Sequence, residues 1–372
     1  MDQERTDIDL AALPERAQRA LAGLDLAGVG LEIGPSFNPI APRSAGFDVR
    51  ILDHADRADL IGKYREVGLS PAELDRIEEV DFVWRSGPVH EAVTSGERFN
   101  YIVAAHVIEH VTDIVALLDT AQRLLEPGGQ LSLIVPDKRY CFDRMRPVTT
   151  VGQVVEAHLD PDLFHGPAPF IDTHLYTVRR FATGNTWDAH SGTDLAIPPC
   201  EWATVRDTIN RVHQADEYID IHRWVFTPAS LELLIRDLRA LGYTDMEIVE
   251  ITPTDSYEFF ARLAVRPRTE ATDRDDAVNS PERWQLLQQI EREQATVALA
   301  AEVAAAAARD ELAAHLQDVT VAFRAAIEER DALRSANAEL LEQLAEVTSS
   351  ASWRATAPLR HAKSLVKRDE GD

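Results

Sequence analysis

The 372-residue chain is short of cysteine, of positive charge and of long apolar runs. Its two cysteines, Cys141 and Cys200, are too few for a disulfide framework and suit a reducing compartment. Against 63 Asp and Glu stand only 38 Lys and Arg, a formal charge of −25 at pH 7. A surface that acidic repels phosphate backbones, so nucleic acid is not an expected partner. No stretch of about 18 uninterrupted apolar residues occurs, which argues against a membrane-spanning helix. The opening MDQERTDIDL is acidic and has no apolar core of the signal-peptide kind, so no secretory signal is expected. The expectation is a soluble cytoplasmic protein, long enough for about two domains.

Glycine and proline vanish in one region. Between Glu282 and Ser350 neither occurs, while Ala, Glu, Leu, Gln and Arg dominate, residues that lose little side-chain entropy in a helix. Ser280 before Pro281 reads as an N-cap with a first-turn proline. Apolar residues recur at spacings of four and three through Leu312, Leu316, Val319, Phe323, Ala326, Leu333, Leu340, Leu344 and Val347, with Arg330 and Asn337 as polar intruders. That heptad pattern predicts a coiled coil over 281–350 and a homo-oligomer, dimer ahead of trimer, because a polar residue at a core position fixes partner number. A long solvated single helix is the alternative. The preceding stretch 268–280 is polar and reads as a linker, which sets the first domain at 1–267. The tail 351–372 is basic: Trp353 to Arg368 holds five Lys and Arg and no acid. It reads as a peripheral membrane contact through 353–368, as a solvated tail or as a docking strip.

The first domain alternates strand-like runs with amphipathic stretches. The runs are 28–34, 47–53, 80–84, 99–105 and 130–136, and residues 111–125 between the fourth and fifth have helical periodicity. This order predicts an α/β fold with a parallel, doubly wound sheet, whose ligands sit at the carboxyl ends of the strands. Glu32 and Gly34 stand in the first strand-to-helix turn, and Asp53 closes the next strand about 20 residues on. An acid there can accept both hydroxyls of a ribose. A carboxylate in the first turn would repel a pyrophosphate, so the site suits a nucleoside bearing a positive group.

The ordered set LEIGP at 31–35, ILD at 51–53, FNYIVAAHVIEHV at 99–111, LEPGG at 125–129 and LSLIVPDKRY at 131–140 resembles the class I S-adenosylmethionine-dependent methyltransferases. Residues 244–251 and 258–265 resemble the sixth strand and the reversed seventh strand of that family. The resemblance implies a Rossmann-like seven-stranded sheet, here followed by a long C-terminal coiled-coil helix. It implies S-adenosyl-L-methionine as cofactor, with Glu32 and Gly34 at the methionine end, Asp53 on the ribose, Ser86 and Gly87 near adenine, and Ala105 and His106 facing the sulfonium. VPDKRYCFDRMRPVTT, YIDIHRWVFTP and SASWRATAPLR are similar to a bacterial subgroup associated with surface-polysaccharide biosynthesis. That likeness implies a carbohydrate or glycolipid acceptor, a glycosyltransferase partner and a place at the inner face of the membrane. The chain departs from the family in its single first-turn glycine and in lacking an acid after the third strand.

Methylating a hydroxyl needs a proton acceptor. His106 is the first candidate, since histidine titrates near neutrality, and Asp137 just past the fifth strand is the second. His106-Val107-Ile108-Glu109-His110 also matches the zinc signature His-x-x-Glu-His, which would put both histidines one turn apart on a helix. In methyltransferases the same stretch opens the helix after strand four, with Glu109 near its N-terminus. Some related O-methyltransferases use a carboxylate-x-x-Glu-His set to bind a divalent ion, which with His106 in the first place is a further reading; a zinc hydrolase and a coiled-coil scaffold with a non-catalytic methyltransferase fold are the rival readings, and no resident metal is expected. The long segment 151–225 between strands five and six, rich in histidine and aromatics, reads as a lid over the acceptor.

Overall fold

The computed structural model describes residues 8–85, 87, 89–162, 164–180, 184–188, 195–198, 200–213, 219–267 and 276–358, without the side chains of 213, 276–277 and 296–314. Contacts divide the chain into two compact units, Met1–Ala301 and Glu302–Asp372. In the first, seven strands form one sheet: β1 (Gly30–Ile33), β2 (Val49–Asp53), β3 (Phe82–Val83), β4 (Phe99–Ala105), β5 (Leu125–Pro136), β6 (Met246–Ile251) and β7 (Glu258–Val265). Their order across the sheet is β3-β2-β1-β4-β5-β7-β6, parallel except for β7, which runs against both neighbours. The predicted reversed seventh strand is therefore present. The direction of strand order changes between β1 and β4, which makes their carboxyl ends the binding crevice of such a sheet.

The helices form because their ends are capped and one stripe is apolar. Among them are α1 (Glu15–Leu21), α2 (Arg57–Val67), α3 (Ile114–Leu124), α4 (Val151–Leu159), α5 (Pro167–Tyr176), α6 (Trp202–His213), α7 (Pro228–Leu241) and α8 (Pro281–Ser349). Asp113 caps α3 by accepting from Ala116 N at 3.0 Å, and the helix buries Ile114, Val115, Leu117, Leu118, Ala121 and Leu124. Thr227 and Ser230 form a capping box on α7, with Pro228 in its first turn and Gly242 left-handed after its last. Two apolar clusters result, one with α3 and α7 on β1, β4 and β5, the other with α1 on the opposite face. Burial on both faces explains why the central strands read as continuous apolar runs. Gly30 lets β1 meet β4, since a Cβ there would stand 2.1 Å from the Tyr101 ring.

The segment 151–225 carries α4, α5 and α6 and a short pairing of Arg179–Arg180 with Leu195–Ala196. Phe170, Val212 and Ile221 give it a small core of its own. Ser280 caps α8 through Arg283 N at 3.1 Å. The early turns of α8 belong to the first unit: Arg283 pairs with Asp237 at 2.8 Å, and Ile290 and Glu293 are buried. The compact unit thus extends past 267, where the sequence reading ends the domain. In the second unit Leu316, Val319, Phe323, Leu333, Leu340, Leu344 and Val347 are each at least half exposed in the single chain. No helix among the described residues is long and apolar enough to cross a membrane.

Candidate functional site

A cavity of about 970 Å³ opens at the carboxyl ends of β1, β2 and β4, toward the upper end of the range for small-molecule sites. Of the predicted residues, Gly34, Asp53, Gly87, Ala105 and His106 line it. Ser86 lies outside the described residues.

The loop after β1 is built by two buried acids. Gly34 has φ +65° and Ser36 φ +50°, left-handed values that turn the chain sharply after the strand. Asp53 accepts from Ser36 N at 3.1 Å through one oxygen and from His54 N at 2.7 Å through the other, which also faces His54 Nδ1 at 2.6 Å. A carboxylate has about four acceptor positions, so its cavity side keeps capacity for a further donor. Glu32 takes a different place from the expected one. It is fully buried and does not line the cavity; its oxygens accept from Ile40 N at 2.6 Å and Ala41 N at 3.1 Å. Burial raises its pKa to about 7 against the pull of those two N–H groups. Glu32 is a clamp on the loop, because its side chain leaves the strand toward the loop's backbone.

The loop after β4 corrects three further expectations. The segment 106–110 is no helix: His106 sits at φ +53°, residues 108–110 form a turn, and α3 starts only after its Asp113 cap. The helical spacing of a zinc hydrolase is therefore absent, and Glu109 is not at a helix N-terminus. His106 is held between two carboxylates, with Nε2 2.8 Å from Glu258 and Nδ1 3.3 Å from Glu109. Burial lowers its pKa, but the two carboxylates outweigh it and raise it to about 9. Near neutrality such an imidazolium is a donor and not the expected proton acceptor. Glu258 is fixed in turn by Arg16 of α1 at 2.7 Å and 3.2 Å. Asp137 is fully buried and off the cavity, taken up by Arg139 at 2.6 Å and by Thr254, so it orients the strand-five turn.

Two histidine–carboxylate pairs on the cavity wall escaped the sequence reading. His158, at the end of α4, has Nδ1 2.9 Å from Asp113, the cap of α3. His110 Nδ1 lies 2.9 Å from Asp220 Oδ1, and all four residues line the cavity. Hydrogen bonding to Asp220 and the nearby Glu109 raise the His110 pKa although burial lowers it. Only the fold brings these pairs together, since 45 and 110 positions separate their members. The stretch Asp220–Trp224 clasps the loop after β4: Trp224 Nε1 donates to Val111 O at 2.7 Å, and Arg223 N donates to Glu109 O at 2.8 Å.

A family profile for a methyltransferase domain matches residues 8–195. A curated relative, the ubiquinone biosynthesis O-methyltransferase of Methylobacterium sp. (strain 4-46), is 33% identical over 111 residues, 29% of this chain. The match spans only 39% of that relative. Among solved structures, the CcbJ methyltransferase from Streptomyces caelestis aligns over 69% of this chain and 98% of its own, at 14% identity and a TM-score of 0.36. The glycopeptide N-methyltransferase MtfA, complexed with S-adenosyl-L-methionine, aligns over 68% of this chain and 86% of its own, at 12% identity and a TM-score of 0.31. Likenesses at that level support no inference about this chain. The profile match, over half of the chain and ending inside the α4–α6 segment, carries the assignment: the chain belongs to the methyltransferase-domain family.

Proposed function

We propose that this chain is an S-adenosylmethionine-dependent methyltransferase acting on a hydroxyl, with a sugar or lipid-linked saccharide as the acceptor. The observation that carries the reading is Asp53, a buried acid at the end of β2 that faces a cavity at the switch in strand order. Gly34, Gly87 and Ala105 complete the cofactor side. His106, as a cation fixed by Glu258 and Glu109, positions the cavity edge after β4. His158 accepts the acceptor's proton: Asp113 holds its Nδ1 and leaves Nε2 for the hydroxyl, the orientation a general base requires. The cofactor supplies the electrophilic methyl group, so orientation and proton removal are the protein's share.

The saccharide acceptor rests on the motifs at 135–150 and 218–228 and on the aromatic residues of the 151–225 segment. The exposed apolar stripe of α8 supports self-association through 281–350 as a coiled coil, with a glycosyltransferase as a further partner. The basic tail supports peripheral contact with an anionic membrane at the cytoplasmic face.

Thermal denaturation with S-adenosylhomocysteine tests the reading. Saturating ligand should stabilise the wild type, by about 2.7 kcal/mol at a hundredfold excess over Kd, and Asp53→Ala should abolish the effect. A labelled-methyl assay on extracted glycolipids and nucleotide sugars should then give a methylated saccharide, with about 10²-fold or greater loss in His158→Ala at unchanged cofactor affinity. No stabilisation at saturating ligand would instead favour the scaffold.

A further inference from the structure

The cavity does not stop at the carboxyl ends of the strands. It runs on along one face of α3, where Asp113, Ala116, Asp119 and Arg123 all line it. These residues recur at spacings of three and four, so they form a single stripe on the helix. From Asp113 to Arg123 the stripe covers about 15 Å at about 1.5 Å per residue, further than a single sugar ring reaches. The opposite wall is the end of α4, with His158, and the turn after α7, with Tyr243. Their rings meet edge to face, 5.6 Å between centroids and 86° between planes. The turn is pinned: Tyr243 N donates to Leu238 O at 2.9 Å, and Asp245 N donates to Gln122 Oε1 of α3 at 3.1 Å. Tyr243 is thus held against the groove before any ligand enters.

The far end of this groove suits a neutral group rich in hydroxyls. Arg123 Nε donates to Asp119 Oδ2 at 2.6 Å, so the two charges offset each other. That bond uses one of five guanidinium donors and one of about four carboxylate acceptor positions, which leaves donors and acceptors side by side. A sugar hydroxyl donates and accepts, and two vicinal hydroxyls present the complementary set. Tyr243 adds a half-buried ring, an apolar surface for the C–H face of a sugar. A phosphate would meet the Asp119 carboxylate, and an acyl chain would strip water from both charged groups without replacing it.

We propose that this end of the cavity is a subsite for a second sugar, so that the acceptor is an oligosaccharide and not a single sugar. The reacting sugar lies by His158, and the next unit lies between Tyr243 and the Asp119–Arg123 pair. The subsite rests on the methyl-transfer reading and narrows its acceptor class. Asp119, Arg123 and Tyr243 touch the acceptor away from the reacting oxygen. Such contacts hold ground state and transition state alike, so they act on KM and leave kcat unchanged.

The test uses the full chain and saccharides released from extracted glycolipids, sorted by size, in the labelled-methyl assay. Fractions of two or more sugar units should be methylated with a kcat/KM at least about tenfold above that of the single-sugar fraction. Arg123→Ala and Tyr243→Ala should each raise KM for the longer fractions at least about threefold, at unchanged kcat and unchanged S-adenosylhomocysteine binding. Neither should alter the single-sugar reaction. Arg123 is exposed, so its variant carries the result should Tyr243→Ala disturb His158. Equal use of single sugars, or an unchanged KM in Arg123→Ala, overturns the subsite and leaves methyl transfer standing. S-adenosylhomocysteine binding with no saccharide methylated overturns the saccharide acceptor and the subsite with it. Failure to bind S-adenosylhomocysteine overturns the methyl-transfer reading itself, so the failures are distinguishable.

Discussion

Glu32 lies in β1 and Glu109 in the loop after the adjacent strand β4, and both are fully buried. Glu32 accepts a backbone N–H on each oxygen, while Glu109 accepts none. The first is accounted for by the loop it holds; the second faces His106 Nδ1 at 3.3 Å and His110 Nε2 at 3.9 Å and balances the charge of the histidines around it. Equal burial of the same residue type thus hides the difference between a backbone clamp and a counter-ion until every carboxylate oxygen is followed to its partner.

Three measurements break or sharpen this contrast. The largest effect should come from Glu32→Ala, which orphans Ile40 N and Ala41 N. At about 1–3 kcal/mol per stranded buried donor, the loss should be about 2–6 kcal/mol in chemical denaturation. Glu109→Gln strands no backbone group and should cost less than half as much. Equal losses would erase the distinction between the two acids.

A smaller effect lies in pH. Because burial raises Glu32 above its ordinary carboxylate pKa to about 7, the native state holds a proton that the unfolded chain releases near 4.5. Stability from this group is full below about pH 4.5 and declines as pH rises through about 7. The gap in stability between wild type and Glu32→Gln should therefore shift over that window and level off above it. A gap constant from pH 4 to 8 would mean that Glu32 stays ionised in its clamp.

The smallest effect concerns the exposed stripe of α8. Replacing Arg330 and Asn337 with Leu should raise the melting point and change the subunit number seen by light scattering. An unchanged melting point would take both residues out of any helix interface.

Most of the sheet was legible in the sequence. The strands at 99–105 and 258–265 have the expected bounds, the others lie within two residues of them apart from β5, which starts earlier, and the reversal of β7 followed from the family resemblance. Asp53, Gly34 and Ala105 line the cavity because strand ends in such a fold meet there. Glu32 was misplaced because a strand buried on both faces gives no alternation to reveal where its side chain goes. The His106–His110 segment was misread as helical because nothing in its composition signals the left-handed turn at His106. The pairs Asp113–His158 and His110–Asp220 were invisible for a plainer reason. Each joins an early loop to the inserted segment, and such pairing exists only in three dimensions.

Arg16, on a helix that precedes the whole sheet, grips Glu258, which grips His106. The front of the chain is thereby wired to the ligand chamber through two contacts. A fluorophore on the outer side of α1 would serve as a remote gauge of occupancy, and a chimera that borrowed this opening stretch from a relative would import a different electrical setting at His106 along with it.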